Sequence, residues 1–193
     1  MKPTRGEGRL EGFLARWRMR RALSVIQPSP GGAVLDIGCG SHPLFLLEAP
    51  FGVKVGLEQF PPAVVPEGIE ILHHPLSGDA RLPFSDAHFD CVVSLAFLEH
   101  LEPESLPSLL CEARRVLKPG GQFVATTPHA FADGVLRVLA RVNLVSREEI
   151  EEHKSRFRRG RLRELFRGAG FAPEKIAISG FQLGMNILMT AEK

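Results

Sequence analysis

Tyrosine is absent from this chain, tryptophan occurs once and cysteine three times. Asparagine and glutamine are scarce and arginine far outnumbers lysine, biases that fit a GC-rich genome or a thermophile. Cys39, Cys91 and Cys111 lie far apart with no C-x-x-C pair, which argues against a zinc site or a disulfide framework and for reduced, buried thiols in a cytoplasmic protein. The histidine spacings suggest no metal triad, so no metal is expected. No segment approaches the roughly 20 apolar residues of a membrane span, and the arginine-rich N-terminus lacks the apolar stretch of a signal peptide. The formal net charge is only +2. That leaves no broad basic field to hold nucleic acid through many phosphate contacts. Repeats and low-complexity tracts are missing too, so 193 residues read as one α/β domain with a sizeable core.

What the chain does have is the run Val34-Leu35-Asp36-Ile37-Gly38-Cys39-Gly40. It reads as a buried strand of a parallel sheet that ends in an acid and breaks into a glycine turn, where backbone N–H groups can approach a ligand closely. A dinucleotide fingerprint, G-x-G-x-x-G, would need a third glycine where Pro43 stands. Asp36 would also put negative charge beside a pyrophosphate. An acid there suits a ligand carrying an amine and a positive sulfur.

At these residues the chain resembles the class I S-adenosylmethionine-dependent methyltransferases, whose first motif is acid-x-G-x-G-x-G. Asp36, Gly38 and Gly40 match it, and His42 replaces the third glycine. A second strand, Val53 to Leu57, ends in Glu58 about twenty residues after Asp36, where an acid can accept from both ribose hydroxyls. Gly78-Asp79-Ala80 resembles the family's adenine loop. Phe89-Asp90-Cys91-Val92-Val93-Ser94 followed by Leu117-Lys118-Pro119-Gly120-Gly121 resembles its small-molecule subgroup. The resemblance covers residues 31 to 128 most closely. It implies a Rossmann-like sheet of seven strands, mostly parallel, with helices on both faces and an antiparallel C-terminal edge hairpin. It further implies S-adenosylmethionine as cofactor, held by Asp36, Gly38, Gly40, Glu58, Gln59, Asp79, Ala80 and the backbone near Leu95.

Periodicity supplies the rest. Leu10, Phe13, Leu14, Trp17, Ala22 and Val25 predict a helix over 10–27, placed as a partial lid beside the cofactor. Strands are expected at 33–37, 53–57, 69–73, 90–94 and 122–127, alternating with helices. A helix is expected from Glu104 to Leu117, with Lys118 favouring its C-terminal dipole and Pro119-Gly120 ending it. Another is expected over 161–168, then strands 171–179 and 183–190 around a turn near Gly180. Residues 130–160 form the natural cover of the acceptor pocket. Phe60 reads either as packing against adenine or as a plug before Pro61-Pro62.

A base, if the reaction uses one, should be a histidine near the crevice, since imidazole titrates close to neutrality. His100 and His129 are the candidates, set against plainer readings as loop or cap hydrogen bonders. His42, His73, His74 and His88 read as structural, and His153 sits in a segment that borders the acceptor pocket in the resembling family. Ser94-Leu95-Ala96-Phe97 lacks the two prolines seen where many enzymes of the family methylate amino groups. That favours an oxygen or carbon of a small-molecule acceptor. Two alternatives remain: an idle cofactor-binding module that works through a protein partner, and a related fold using a nicotinamide.

Overall fold

The computed structural model describes residues 11–76, 81–130, 132, 154–155 and 157–193. One sheet holds seven strands: β1 (Ser29–Ile37), β2 (Phe51–Glu58), β3 (Glu70–His73), β4 (Phe89–Leu95), β5 (Leu117–Pro128), β6 (Ile176–Phe181) and β7 (Asn186–Glu192). Their spatial order is β3-β2-β1-β4-β5-β7-β6. The first five strands are parallel, and β7 runs antiparallel to both β5 and β6. Helices are α1 (Glu11–Leu23), α2 (Leu44–Glu48), α3 (Leu106–Val116) and α4 (Arg159–Gly168). The expected class of sheet is therefore present, including its antiparallel edge.

Parallel strands covered on both faces must be apolar at successive positions, and β1 shows it: Val34, Leu35 and Ile37 are all buried. Alternate residues serve opposite layers. Leu35, Ile37, Val92 and Phe123 join Leu110 and Ala113 of α3 and Phe166 of α4 in one core. Val34, Val93 and Val124 join Met19 and Ala22 of α1 and Phe45 and Leu46 of α2 in the other. The helical stripe read for α3 holds, with Leu106, Leu109, Leu110, Ala113 and Val116 buried.

Several expectations need correction. On α1 the buried residues are Met19 and Ala22, whereas Phe13 and Trp17 are 62% and 43% exposed and pack edge to face on each other. An apolar stripe says which residues could face a core, and here the smaller side chains fit under the helix. Leu117 opens β5 rather than ending α3. Lys118 does not serve the helix end: its ammonium binds Asp90 at 2.7 Å, and Lys193 donates to the carbonyls of Arg115 and Leu117. No helix separates β2 from β3, where residues 59–69 form bends and a turn, so Phe60, largely exposed, has no second helix to plug. The C-terminal turn lies beyond Gly180, which pairs with Ile187 inside the hairpin. Residues 173–175 form a 3₁₀ turn before β6 instead of strand. Cys111 is exposed, while Cys39 and Cys91 are buried as expected. Asp79, Ala80, His153 and most of 130–160 lie outside the described residues.

Register decides where the site forms. Asp36 on β1 stands beside Gly56 of β2 and Val93 of β4, and Leu95 of β4 beside Thr126 of β5. The carboxyl ends of four strands thus share one edge, which is where ligands sit in open α/β sheets.

Candidate active site

Asp36, one residue before the end of β1, is almost fully buried, at 3% exposure, and its Oδ1 has no hydrogen-bond partner among the described residues. Burial, and then the charge of Glu58, push its carboxyl up to about 8. The chain turns immediately after it. Gly38 and Gly40 take φ of 76° and 73°. The N–H groups of Gly38 and Cys39 donate to the Leu57 carbonyl at 2.9 and 3.3 Å, which fastens the turn to β2. A Cβ on Gly38 would lie 2.3 Å from the ring of Phe97, so the turn requires a residue with no side chain there. Gly56 is equally constrained, since its Cβ would stand 2.6 Å from the Cys39 sulfur behind the turn. Over Gly40 the space is open, with no atom within 4 Å of its Cβ position.

Glu58 ends β2 and ties two loops together. Its Oε2 accepts the N–H of Gly40 at 2.8 Å and its Oε1 the N–H of Phe60 at 3.2 Å. A carboxylate offers about four acceptor positions, so this side chain can organise the turn and still meet ligand hydroxyls. Gln59 follows it, exposed on the rim. His42 contributes through its backbone, its carbonyl accepting the N–H of Leu44 at the entry to α2.

The other wall comes from β4 and β5. Ala96 adopts φ of 55°, uncommon for a residue with a side chain, and its N–H donates to the Thr126 carbonyl at 2.9 Å. This bend carries Phe97 across Gly38 and starts the 3₁₀ turn Leu98–His100. Buried there are the hydroxyls of Ser94 and Thr126, with no hydrogen-bond partner among the described residues, and the Thr127 hydroxyl beside the Glu99 carboxyl. His100 closes the turn, half-buried. His129 follows β5, its N–H donating to the Met185 carbonyl at 2.8 Å. Burial first, then Arg159 and Arg158, hold its imidazole below the usual histidine range, hence neutral at pH 7.

The structure thus brings Asp36, Gly38, Gly40, Glu58, Gln59, Leu95, His100 and His129 to one edge of the sheet. Sequence reasoning put Phe97 at the crevice but could not foresee its ring lying against Gly38, across 59 positions of chain, and it assigned no role to the acid Glu99, whose burial appears only in the fold. Among the described residues no group of three histidine, cysteine or acidic side chains is placed to hold a metal.

Asp36 carries a prediction that needs no ligand. Because its folded value, about 8, lies above its ordinary 3.8, the folded chain binds a proton that the unfolded chain has lost between those limits. That contribution to stability is full below pH 4 and disappears as pH rises towards 8, by on the order of 1.4 kcal/mol per pH unit. Urea unfolding across this range should give a shallower fall for Asp36→Asn than for wild type. Equal slopes would show that Asp36 is already ionised.

A sheet with this strand order, an acid-ended glycine turn and a second acid on the adjacent strand defines an α/β protein that binds a nucleoside-type ligand. Three features fit S-adenosylmethionine: an unpartnered buried carboxyl for its cationic end, open space over Gly40, and the Glu58 carboxylate for ribose hydroxyls. Residues 7–176 match the sequence model of the methyltransferase domain family. The chain belongs to that family, within the class I S-adenosylmethionine-dependent methyltransferases, and its cofactor is S-adenosylmethionine. Nocamycin O-methyltransferase of Saccharothrix syringae is 31% identical over 68% of this chain and 52% of its own length. The demethylmenaquinone methyltransferase of Symbiobacterium thermophilum is 31% identical over 58% of this chain and 49% of its own. The chain spans about half the length of the curated relatives it matches. A methyltransferase from Mesorhizobium loti, dependent on S-adenosylmethionine, shares the fold with a TM-score of 0.65 at 22% identity, covering 91% of this chain and 98% of that one.

Proposed function

We propose that this protein transfers the methyl group of S-adenosylmethionine to an oxygen or carbon of a small molecule. The observation that carries the reading is the pair of buried acids at the ends of β1 and β2, one beneath and one tied to the same glycine turn. Two relatives support the choice of acceptor atom, one named for O-methylation of nocamycin and the other for demethylmenaquinone. The cofactor supplies a methyl group already activated by a positive sulfur. The chain's part is to bind, orient and exclude water, and such alignment is worth roughly 7 to 11 kcal/mol.

Asp36 faces the cationic end, with Gly38 and Gly40 giving the backbone close approach. Glu58 accepts from the ribose, and Gln59 borders it. Asp79 and Ala80 receive the adenine, and the backbone of Leu95 forms the wall beside it. His100 and His129 stand on the acceptor side, where a neutral imidazole can accept a hydrogen bond from an acceptor hydroxyl. Among the described residues no helix is long and apolar enough to cross a membrane, and Cys39, Cys91 and Cys111 are free thiols. Both facts agree with a cytoplasmic protein working on a small molecule.

Methyl-labelled S-adenosylmethionine offered with 1,4-naphthohydroquinone, catechol or benzylamine tests the reading. Label is expected on a hydroxylated probe, at oxygen or ring carbon. Label on benzylamine and on neither of the others would overturn the proposed acceptor class.

A further inference from the structure

We propose that Glu99 takes the acceptor's proton, and that the acceptor is therefore a small molecule with an acidic hydroxyl, such as a phenol, enol or quinol. This rests on the methyltransferase reading above and adds to it a proton-accepting residue and a substrate class.

The placement argues for it first. Glu99 lies in the 3₁₀ turn that directly follows β4, four residues beyond Leu95, on the rim between the ends of β4 and β5. Its backbone is clamped, the carbonyl accepting the N–H groups of Lys154 at 2.9 Å and Ser155 at 3.0 Å. The Ser155 hydroxyl adds a bond to the Leu101 carbonyl at 2.8 Å. These three bonds from one segment fix the backbone of the turn that carries the side chain. That side chain is 2% exposed, and its Oε2 has no hydrogen-bond partner.

A buried carboxyl met by no more than a neutral hydroxyl costs several kcal/mol, and such a group is a candidate for meeting a ligand or doing chemistry. The surroundings do not explain Glu99 as a structural ion pair. Among the described residues, Arg18 on α1 is the charged residue that acts on it, with a smaller effect than burial. Lys154, bonded to the Glu99 backbone, sends its ammonium to Glu102 at 2.9 Å. From β5 the facing group is the uncharged hydroxyl of Thr127, whose hydrogen bond to the carboxyl has a smaller effect than burial. His100 follows in the turn, and His129 lies two residues beyond Thr127, just past the end of β5.

Burial also raises the carboxyl to about 7, so that near neutrality the ionised form is present and the protonated form can persist. In the step, an oxygen lone pair of the acceptor, or the ring carbon it enriches, forms the bond to the methyl carbon. The carbon–sulfur bond breaks with its electron pair going to sulfur, leaving S-adenosylhomocysteine. The hydroxyl proton passes to Glu99 Oε2 and from there to solvent. Phenols titrate near 10, within reach of such a base, whereas aliphatic alcohols are far less acidic. Ring C-methylation starts from the same deprotonated hydroxyl: the methylated dienone then breaks its ring C–H bond, that proton returns to the oxygen as the ring rearomatises, and one proton is released through Glu99 in either outcome.

The test compares wild type, Glu99→Gln and Glu99→Asp. Calorimetry with S-adenosylhomocysteine should give affinities within twofold of one another, since Glu99 is assigned no contact with it. With labelled S-adenosylmethionine and 1,4-naphthohydroquinone, Glu99→Gln should lose roughly 10²-fold or more of kcat/KM. Wild-type kcat/KM should rise to a plateau with an inflection near pH 7, absent in Glu99→Gln and regained in part by Glu99→Asp. Infrared difference spectra of wild type against Glu99→Gln read the same group without turnover. A carboxylic acid C=O band should vanish across neutrality and shift when 1,4-naphthohydroquinone is added to the S-adenosylhomocysteine complex. If Glu99→Gln fails to fold, Glu99→Asp supplies the reference spectrum. Unchanged turnover or an unchanged inflection in Glu99→Gln overturns the proposal, as does a C=O band indifferent to the probe. Failure of wild type to bind S-adenosylhomocysteine would instead bring down the underlying methyltransferase reading.

Discussion

Glu58→Ala is expected to weaken S-adenosylhomocysteine binding by about 1.5 to 3 kcal/mol, roughly 10- to 150-fold in dissociation constant. Two losses combine. The ribose hydroxyls lose an ionised acceptor, and the N–H groups of Gly40 and Phe60 lose the carboxylate that aligns both loops before the ligand arrives. Glu58→Gln should fall between, because one amide oxygen still accepts while the NH₂ faces groups that can only donate. Calorimetric titration of the three proteins gives the order directly. Equal affinity of Glu58→Ala and wild type would remove Glu58 from the ribose site.

The largest stability loss is expected at Gly38→Ala. A side chain there pays twice: the backbone sits at φ of 76°, and the new Cβ would lie 2.3 Å from the Phe97 ring. Strain of about 1 to 2 kcal/mol for the left-handed conformation and about 1 to 3 for overpacking sum to about 3 kcal/mol. In a chain of this size that lowers Tm by roughly 6 to 12 °C. Gly40→Ala is the internal control, because Gly40 has nearly the same φ, 73°, but open space around it. It should show the backbone part alone. Adding Phe97→Ala to Gly38→Ala removes the ring contact, so the double variant should lose less than the two single effects combined. Similar melting points for Gly38→Ala and Gly40→Ala would contradict the close packing of Phe97 on the turn.

The central strands and both acids were legible because their signals are local. A strand buried on both faces is apolar at successive positions, and an acid followed by two spaced glycines is a pattern within one loop. The C-terminal hairpin was misplaced because its turn does not use its obvious glycine. Gln182 and Leu183 adopt φ of 52° and 57°, values that usually call for glycine or asparagine, while Gly180 stays extended within β6. On α1 Phe13 and Trp17 were read into the buried face along with Ala22, yet it is Ala22 and Met19 that pack into the core. The partner of Lys118 was misjudged for a similar reason: its ammonium reaches Asp90 on β4, while the terminal lysine folds back over the end of α3. Glu99 stands next to a noticed histidine, but nothing in its neighbours announces that it is buried. Its significance comes from the third dimension, where the bend at Ala96 and the bonds from 154–155 enclose it.

The most direct measurement is calorimetric titration of the wild type with S-adenosylhomocysteine, S-adenosylmethionine and NADH, repeated on Glu58→Ala. Saturable binding of the two sulfur ligands, no heat with NADH, and marked weakening in the variant are the expected results. Binding of NADH, or no binding of either sulfur ligand, would contradict the assignment of the paired acids and their glycine turn to S-adenosylmethionine.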